Sequence, residues 1–149
     1  MTRIELMSQG VDVPPLRHDT LTRWVTLVAR GHGRETGRVT YVFCDDDYIL
    51  DTNRRYLGHD YYTDIITFDY STRHRIAGDL VISLDTVASN ARQLGVPVER
   101  ELHRVMIHGV LHLCGIDDKG PGQRAVMEAH EDAALELLDT LDNPLTPQP

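Results

Sequence analysis

The alternation of apolar and polar positions along the chain predicts strands and helices in a mixed order. Short apolar runs rich in β-branched and aromatic residues predict four strands, over residues 4–7, 38–44, 63–70 and 76–83. Apolar residues that recur every three to four positions predict five helices, over residues 20–30, 46–56, 83–93, 97–114 and 121–141. The polar stretch 71–75 suits an antiparallel hairpin between the last two strands. We find no repeat and no linker, so residues 1–142 are predicted to form a single domain and residues 143–149 a disordered tail.

The predicted helix over residues 97–114 is apolar on nearly every side, which is typical of a helix buried at the centre of a domain. Two histidines, His108 and His112, interrupt it four positions apart. On a helix this spacing places both imidazoles on one face, with Cβ atoms roughly 5–6 Å apart, so that they can converge on one cation. Gly115 can end the helix and reverse the chain, which would bring Asp117 or Asp118 to the same cation.

Two imidazole nitrogens and one carboxylate oxygen suit one Zn²⁺ ion with a fourth position open to water, and other divalent metals also fit. The alternative is a pair of hydrogen-bonded core histidines, but the glycine and the acids that follow the pair favour the metal site. Gly109, directly after the first histidine, has no side chain, whereas zinc peptidases carry a glutamate base at that position. The sequence therefore argues against peptide hydrolysis.

Composition narrows the class of protein. The chain has 149 residues, of which 41% are hydrophobic and 26% charged, and no apolar run approaches the ~20 residues that a membrane-spanning helix needs. The N-terminus has no signal-peptide pattern, and the two cysteines, Cys44 and Cys114, lie in apolar sequence. These features predict a cytoplasmic protein with reduced thiols. The net charge of −8 argues against binding nucleic acid over the whole surface but is compatible with a local basic patch or a metal.

The segment around the histidines resembles the signature of a known family. It reads His108-Gly-Val-Leu-His112-Leu-Cys-Gly115-Ile-Asp117-Asp118. The YbeY family, bacterial endoribonucleases involved in ribosomal RNA maturation, carries His-Gly-x-Leu-His-Leu-x-Gly-Tyr-Asp-His. Three further stretches resemble the family's other blocks in the same order: Asn53-x-x-Tyr56-x-Gly58, Thr63-Asp64-Ile-Ile-Thr-Phe68 and Gly78-Asp79-Leu-Val-Ile-Ser83. The likeness extends from Tyr41 to the last helix.

The resemblance implies an α+β fold, in which a mixed sheet of about four strands is surrounded by about five helices, with the metal site on the central helix. It implies His108, His112 and Asp118 as ligands of one Zn²⁺ ion. It further implies a metal-dependent endoribonuclease that cleaves single-stranded RNA in ribosomal RNA maturation and ribosome quality control, with the ribosome or its small subunit as partner. Two alternatives remain open: a ribosome assembly factor whose metal is structural, and a metal hydrolase that acts on a substrate other than RNA.

Two positions depart from the family pattern. The third ligand of the family is usually histidine, where this chain has Asp118, and aspartate can also bind zinc. An arginine associated with catalysis or RNA binding usually follows the family's tyrosine, where this chain has Leu57. The neighbouring Arg54 and Arg55 are candidates to serve in its place.

Further candidate residues accompany the ligands. Asp64, Asp79 and Asp117 are predicted to act in catalysis or to orient a water molecule or a ligand histidine. For Asp64 the alternative is a cap where a strand starts, and for Asp79 it is a set of backbone hydrogen bonds within a strand. An RNA-binding rim is predicted from basic residues: Arg54, Arg55, Arg73, Arg75 and either Arg100 or Arg104. The alternative is that these arginines only solvate the surface.

Overall fold

A mixed four-stranded sheet forms the centre of the computed structural model, which describes residues 2–58 and 63–142. The strands are β1 (Arg3–Gln9), β2 (Glu35–Cys44), β3 (Ile65–Asp69) and β4 (Arg75–Ser83). Their order across the sheet is β1-β2-β4-β3, and β1 and β4 both run parallel to β2. Strand β3 pairs antiparallel with β4, which confirms the predicted hairpin.

Five α-helices accompany the sheet, which confirms the α+β fold. They are α1 (His18–Gly31), α2 (Asp46–Thr52), α3 (Leu84–Leu94), α4 (Val98–Leu113) and α5 (Gln123–Asp142). The Asp45 side chain accepts the Tyr48 N–H at 2.8 Å, so the acidic run there begins α2 as a cap. The helix predicted over residues 46–56 is shorter than expected, because α2 ends at Thr52 and a π-helical turn (Asn53–Leu57) follows it. The predicted tail, residues 143–149, lies outside the described residues.

The main hydrophobic core lies between the sheet and helices α1, α4 and α5. Helix α4 crosses this core as the predicted central helix, and its apolar side chains are buried. The Tyr41 hydroxyl on β2 donates to the Met106 carbonyl on α4 at 3.1 Å, and the Trp24 indole N–H on α1 donates to the Ala134 carbonyl on α5 at 2.7 Å. These buried hydrogen bonds join the sheet to α4 and join α1 to α5. A smaller apolar cluster packs on the opposite face of the sheet, under α2: Cys44, Ile49, Ile66 and Val81.

Two glycines let α4 lie directly on strands β3 and β4. A Cβ atom on Gly78 of β4 would lie 2.5 Å from the Phe68 carbonyl oxygen and 2.9 Å from a Leu113 methyl group of α4. A Cβ atom on Gly109 of α4 would lie 2.9 Å from methyl groups of Ile65 and Leu80. The absence of a side chain at these two positions therefore sets how close the helix comes to the sheet.

Two further expectations can be compared with the described chain. Cys44 and Cys114 are free, buried thiols, as predicted, and burial raises the pKa of Cys114 to about 11. Among the helices in residues 2–58 and 63–142, none is both long and apolar enough to cross a membrane.

We expect Gly78→Ala to lower the free energy of unfolding by about 1–3 kcal/mol, because the added methyl group meets a backbone carbonyl that cannot rotate away. Gly31→Ala, at the end of α1, is the matched control, since nothing lies within 4 Å of the added methyl group. Urea unfolding of both variants measures the effect. Equal stabilities for the two variants would contradict the close packing of α4 on the sheet.

Candidate metal centre

The two histidines of α4 project from the one side of the helix that is not covered by the core. Their rings lie 4.5 Å apart between centroids and are nearly perpendicular, at 82°. The side chains of His108 and His112 are 20% and 26% exposed. The helical spacing thus brings both imidazoles together at the protein surface, as the sequence predicted.

A tight reversal after α4 returns the chain to the histidines. Gly115 adopts a left-handed conformation, with φ of 95°, and its N–H donates to the His112 carbonyl at 2.9 Å. The carboxylate of Asp117 then accepts the N–H groups of Asp118 and Lys119, at 2.7 Å and 3.1 Å. Asp117 is exposed and shapes this loop, and the loop presents the next residue to the histidines.

The carboxylate of Asp118 lies between the two rings. Its Oδ2 is 3.5 Å from Nε2 of His108, and its Oδ1 is 3.6 Å from Nε2 of His112. Ligands bound to zinc at about 2.0–2.2 Å in a tetrahedron lie about 3.3–3.6 Å from one another, so these atoms have the separation that the ion requires. Within the described part of the chain, no other three histidine, cysteine or acidic side chains place ligand atoms within 4.8 Å of one another.

Asp64 lies close to this group, whereas Asp79 does not. Asp64 precedes β3, accepts hydrogen bonds from its own N–H and that of Ile65, and lines the same groove as His108. Burial raises the pKa of its carboxyl, although the charge of His108 and the hydrogen bonds oppose the shift. Asp79 lies between two β4 residues that face α4, so its side chain points to the opposite face of the sheet. There its carboxylate accepts a hydrogen bond from the Tyr70 hydroxyl at 3.2 Å.

Glu131 of α5 belongs to the site, and the sequence analysis missed it. Its Oε2 lies 2.6 Å from Nδ1 of His108, and Nη1 of Arg104 donates to its Oε1 at 2.8 Å. The side chain is 7% exposed. A signal was present, because Glu131 follows Met127 by four positions and precedes Ala134 by three, and therefore stands in the apolar stripe of α5. A carboxylate in such a stripe needs buried partners.

The two histidines differ in their affinity for a proton. Burial lowers the pKa of His108, but the hydrogen bond and charge of Glu131, with the charges of Asp118 and Asp64, outweigh burial and raise it. For His112, burial and the charge of His108 lower the pKa more than Asp118 and Asp117 raise it. His108 is thus the more basic of the two imidazoles.

A groove of about 800 Å³ adjoins the histidines, lined by His108 and Asp118 together with side chains of α3, α4 and α5. Its charged lining consists of six carboxylates and three arginines: Asp64, Glu101, Asp118, Glu128, Glu131, Asp132, Arg100, Arg104 and Arg124. Glu101 is buried, and burial followed by the charge of Asp64 raises the pKa of its carboxyl, against an opposing effect of Arg104. The groove is therefore richer in negative than in positive groups.

The structure separates the arginines predicted to form a rim. Arg100 and Arg104 line the groove, and Arg124 joins them from α5. The groove lining does not include Arg54, Arg55, Arg73 or Arg75. Arg55 pairs with Asp51 at 3.0 Å, and Arg73 and Arg75 are exposed on the β3–β4 hairpin. The predicted rim thus divides between the groove and surfaces outside it.

Comparison with known proteins identifies close relatives over nearly the whole chain. A family model described as Endoribonuclease YbeY matches residues 8–139. The protein named Endoribonuclease YbeY in Phocaeicola vulgatus is 57% identical over 135 residues, which cover 91% of this chain and 98% of the relative. The protein of the same name in Bacteroides thetaiotaomicron is 52% identical over 134 residues, covering 90% of this chain and 98% of the relative.

The fold also has a counterpart among solved structures. The solution structure of a Thermotoga maritima protein superposes with a TM-score of 0.59 and covers 97% of this chain and 99% of its own. Its sequence is 19% identical to this one, so this likeness concerns the fold.

We expect Asp118→Ala to weaken zinc binding by roughly 100-fold or more, because one of three protein ligands is lost from a binding free energy of ~10–16 kcal/mol. Asp118→His supplies a nitrogen at the same position and should retain most of the affinity. Competition against a chromogenic chelator measures both variants, with Asp117→Asn as control because its side-chain oxygen still accepts the loop N–H groups. Equal affinity in the wild type and Asp118→Ala would assign the third ligand to another residue.

We expect Glu101→Gln to stabilise the metal-free protein at neutral pH. Because the folded state raises the pKa of Glu101, folded molecules bind more protons than unfolded ones above the ordinary pKa, and stability falls as pH rises through the folded pKa. The amide removes this loss, so Tm should rise by a few degrees at pH 7–8 and change little near pH 4. Thermal unfolding across pH checks it, with the exposed Glu99→Gln as control. A gain that is the same at both pH values would contradict the raised pKa.

Proposed function

The chain belongs to the YbeY endoribonuclease family, and we propose on this premise that it is a zinc-dependent endoribonuclease of single-stranded RNA. The observation that carries the proposal is the convergence of His108, His112 and Asp118 beside a groove. Two nitrogens and one carboxylate leave a position open to water or substrate, as catalytic zinc sites do. A site that held a metal only for stability would have four protein ligands and no open position.

A zinc ion bound there supplies a Lewis acid and lowers the pKa of its water toward ~7. His108 and His112 hold their Nε2 atoms toward the ion, and Asp118 contributes carboxylate oxygen. Asp64 is our candidate to accept a proton, because its raised pKa makes the carboxylate a stronger base and it lines the groove beside His108. Asp117 fixes the loop and so supports the reaction only through the position of Asp118.

The charge of the groove supports a metal-dependent way of holding RNA. Six carboxylates face three arginines there, so a phosphodiester is repelled unless a cation offsets them. Arg100 and Arg124 pair with the exposed carboxylates of Asp139 and Glu128, at 2.8 Å and 3.4 Å. Exposed ion pairs are worth little, so both guanidinium groups can exchange a carboxylate for a phosphate. They would supply the positive charge that Leu57 does not.

We further propose that the RNA is ribosomal and that the protein acts in its maturation and in ribosome quality control, with the ribosome or its small subunit as partner. The names of the relatives support an RNA substrate, and the likeness of the signature segment to the family supports the ribosomal role. Such a role would place the protein in the cytoplasm, where its two free thiols stay reduced.

We expect the purified protein to cleave a labelled single-stranded RNA and to leave a duplex of the same sequence intact. A chelator should stop cleavage, added zinc should restore it, and His112→Ala should abolish both zinc binding and cleavage. His32→Ala is the matched control, since its ring contacts His130 and it does not line the groove. Gel analysis of the products provides the measurement.

The remaining alternatives predict other outcomes. Cleavage that persists in His112→Ala would reveal a contaminating nuclease. A zinc-loaded protein that binds ribosomal particles without cutting RNA would support an assembly factor with a structural metal. RNA that binds equally well with and without zinc would contradict the role of the ion in offsetting the acidic groove.

A further inference from the structure

We propose that Glu131, held in place by Arg104, is a positioning residue that fixes the ring plane and the tautomer of His108 for the metal. The inference rests on the metal of the proposed function but not on its RNA substrate. Glu131 lies on α5, 23 positions from His108, and none of the sequence motifs includes it. Its role would be exerted through His108, because Arg104 and His108 are its two hydrogen-bonding partners in the described structure.

The first step is the tautomer. Nδ1 of His108 lies 2.6 Å from the Oε2 atom of Glu131, and a carboxylate accepts hydrogen bonds and does not donate them. Nδ1 must therefore carry the proton. In a neutral imidazole the lone pair is then on Nε2, the atom that lies 3.5 Å from the Asp118 carboxylate. Glu131 thus selects the tautomer that presents a ligand nitrogen to the ion.

The second step is the orientation of Glu131 itself. Nη1 of Arg104 donates to Oε1 at 2.8 Å, so each carboxylate oxygen has its own partner and the group cannot rotate. Nη2 of Arg104 donates to Asp132 at 2.6 Å, which fixes the guanidinium plane in turn. Arg104 precedes His108 by one helical turn, so α4 supplies both partners of Glu131. The direction of the His108 ring is therefore set by α4 and α5 together.

The third step is the energetic cost of this arrangement. A buried ion pair loses the hydration of both charges, and an apolar side chain in the stripe would pack without that loss. The Arg104–Asp132 pair already joins α4 to α5, and Asp132 is 62% exposed. Joining the two helices therefore does not require a charge at position 131. Contact with a metal-binding histidine does require one, because the carboxylate makes the imidazole a stronger ligand.

The experiment compares zinc affinity with metal-free stability in four proteins. They are the wild type, Glu131→Gln, Glu131→Met and the control Asp132→Asn. Asp132 accepts from the same guanidinium group, is exposed, and makes no hydrogen bond to His108. Chelator competition gives the affinity, thermal unfolding without metal gives the stability, and ¹⁵N NMR of the imidazoles gives the tautomer.

We expect Glu131→Met to weaken zinc binding by about 10–100-fold, and Glu131→Gln to weaken it less, since an amide oxygen still accepts the Nδ1 proton. Asp132→Asn should change affinity by about twofold or less, as for an exposed ion pair. In the metal-free Glu131→Met protein, the NMR spectrum should contain both neutral tautomers of His108, whereas the wild type should favour the form protonated on Nδ1. Stability loss alone does not produce this change in tautomer.

Two results would overturn the inference. One is a zinc affinity in Glu131→Met equal to that of the wild type. The other is an affinity that falls equally in Glu131→Met and Asp132→Asn, which would assign the effect to the docking of α5. Neither measurement uses RNA. A protein that binds zinc through Glu131 but cuts no RNA would contradict the proposed function while leaving this inference intact.

Discussion

The close packing of α4 on strands β3 and β4 is the constraint on which the candidate site depends. Because Gly78 and Gly109 carry no side chains, the helix lies directly on the sheet and buries its apolar side there. The remaining side of the helix faces the groove, and it carries Arg104, His108 and His112. A larger residue at either glycine would lift the helix and shift each of these side chains relative to β3 and α5.

The part of the site that lies within one short segment was predictable from the sequence. His108 and His112 are four positions apart on a strongly apolar helix, so helical geometry alone places them together. Gly115 supplies the left-handed residue of the reversal, and Asp118 follows it closely enough to return to the rings. The strands and helices were also predicted, with the end of α2 as the main difference.

The parts that depend on how distant segments meet were not predictable in the same way. Glu131 reaches His108 only because α5 packs beside α4, and no local pattern gives the angle between two helices. Asp79 illustrates the opposite error. Its position within an apolar strand indicated a polar residue that needed a partner, but the partner is Tyr70, on the face of the sheet away from α4. Periodicity gives the alternation of faces, whereas the tertiary packing decides which face adjoins the site.

The steric role of Gly109 also bears on how this protein can evolve. A glutamate at this position would complete the zinc peptidase pattern with a single replacement, between two histidines that already have the correct spacing. The Cβ atom of that glutamate would collide with Ile65 and Leu80 before its carboxylate could reach a substrate. Acquiring a peptidase base would thus first require smaller side chains on β3 and β4. The packing of the fold closes the shortest mutational path from this site to peptide hydrolysis.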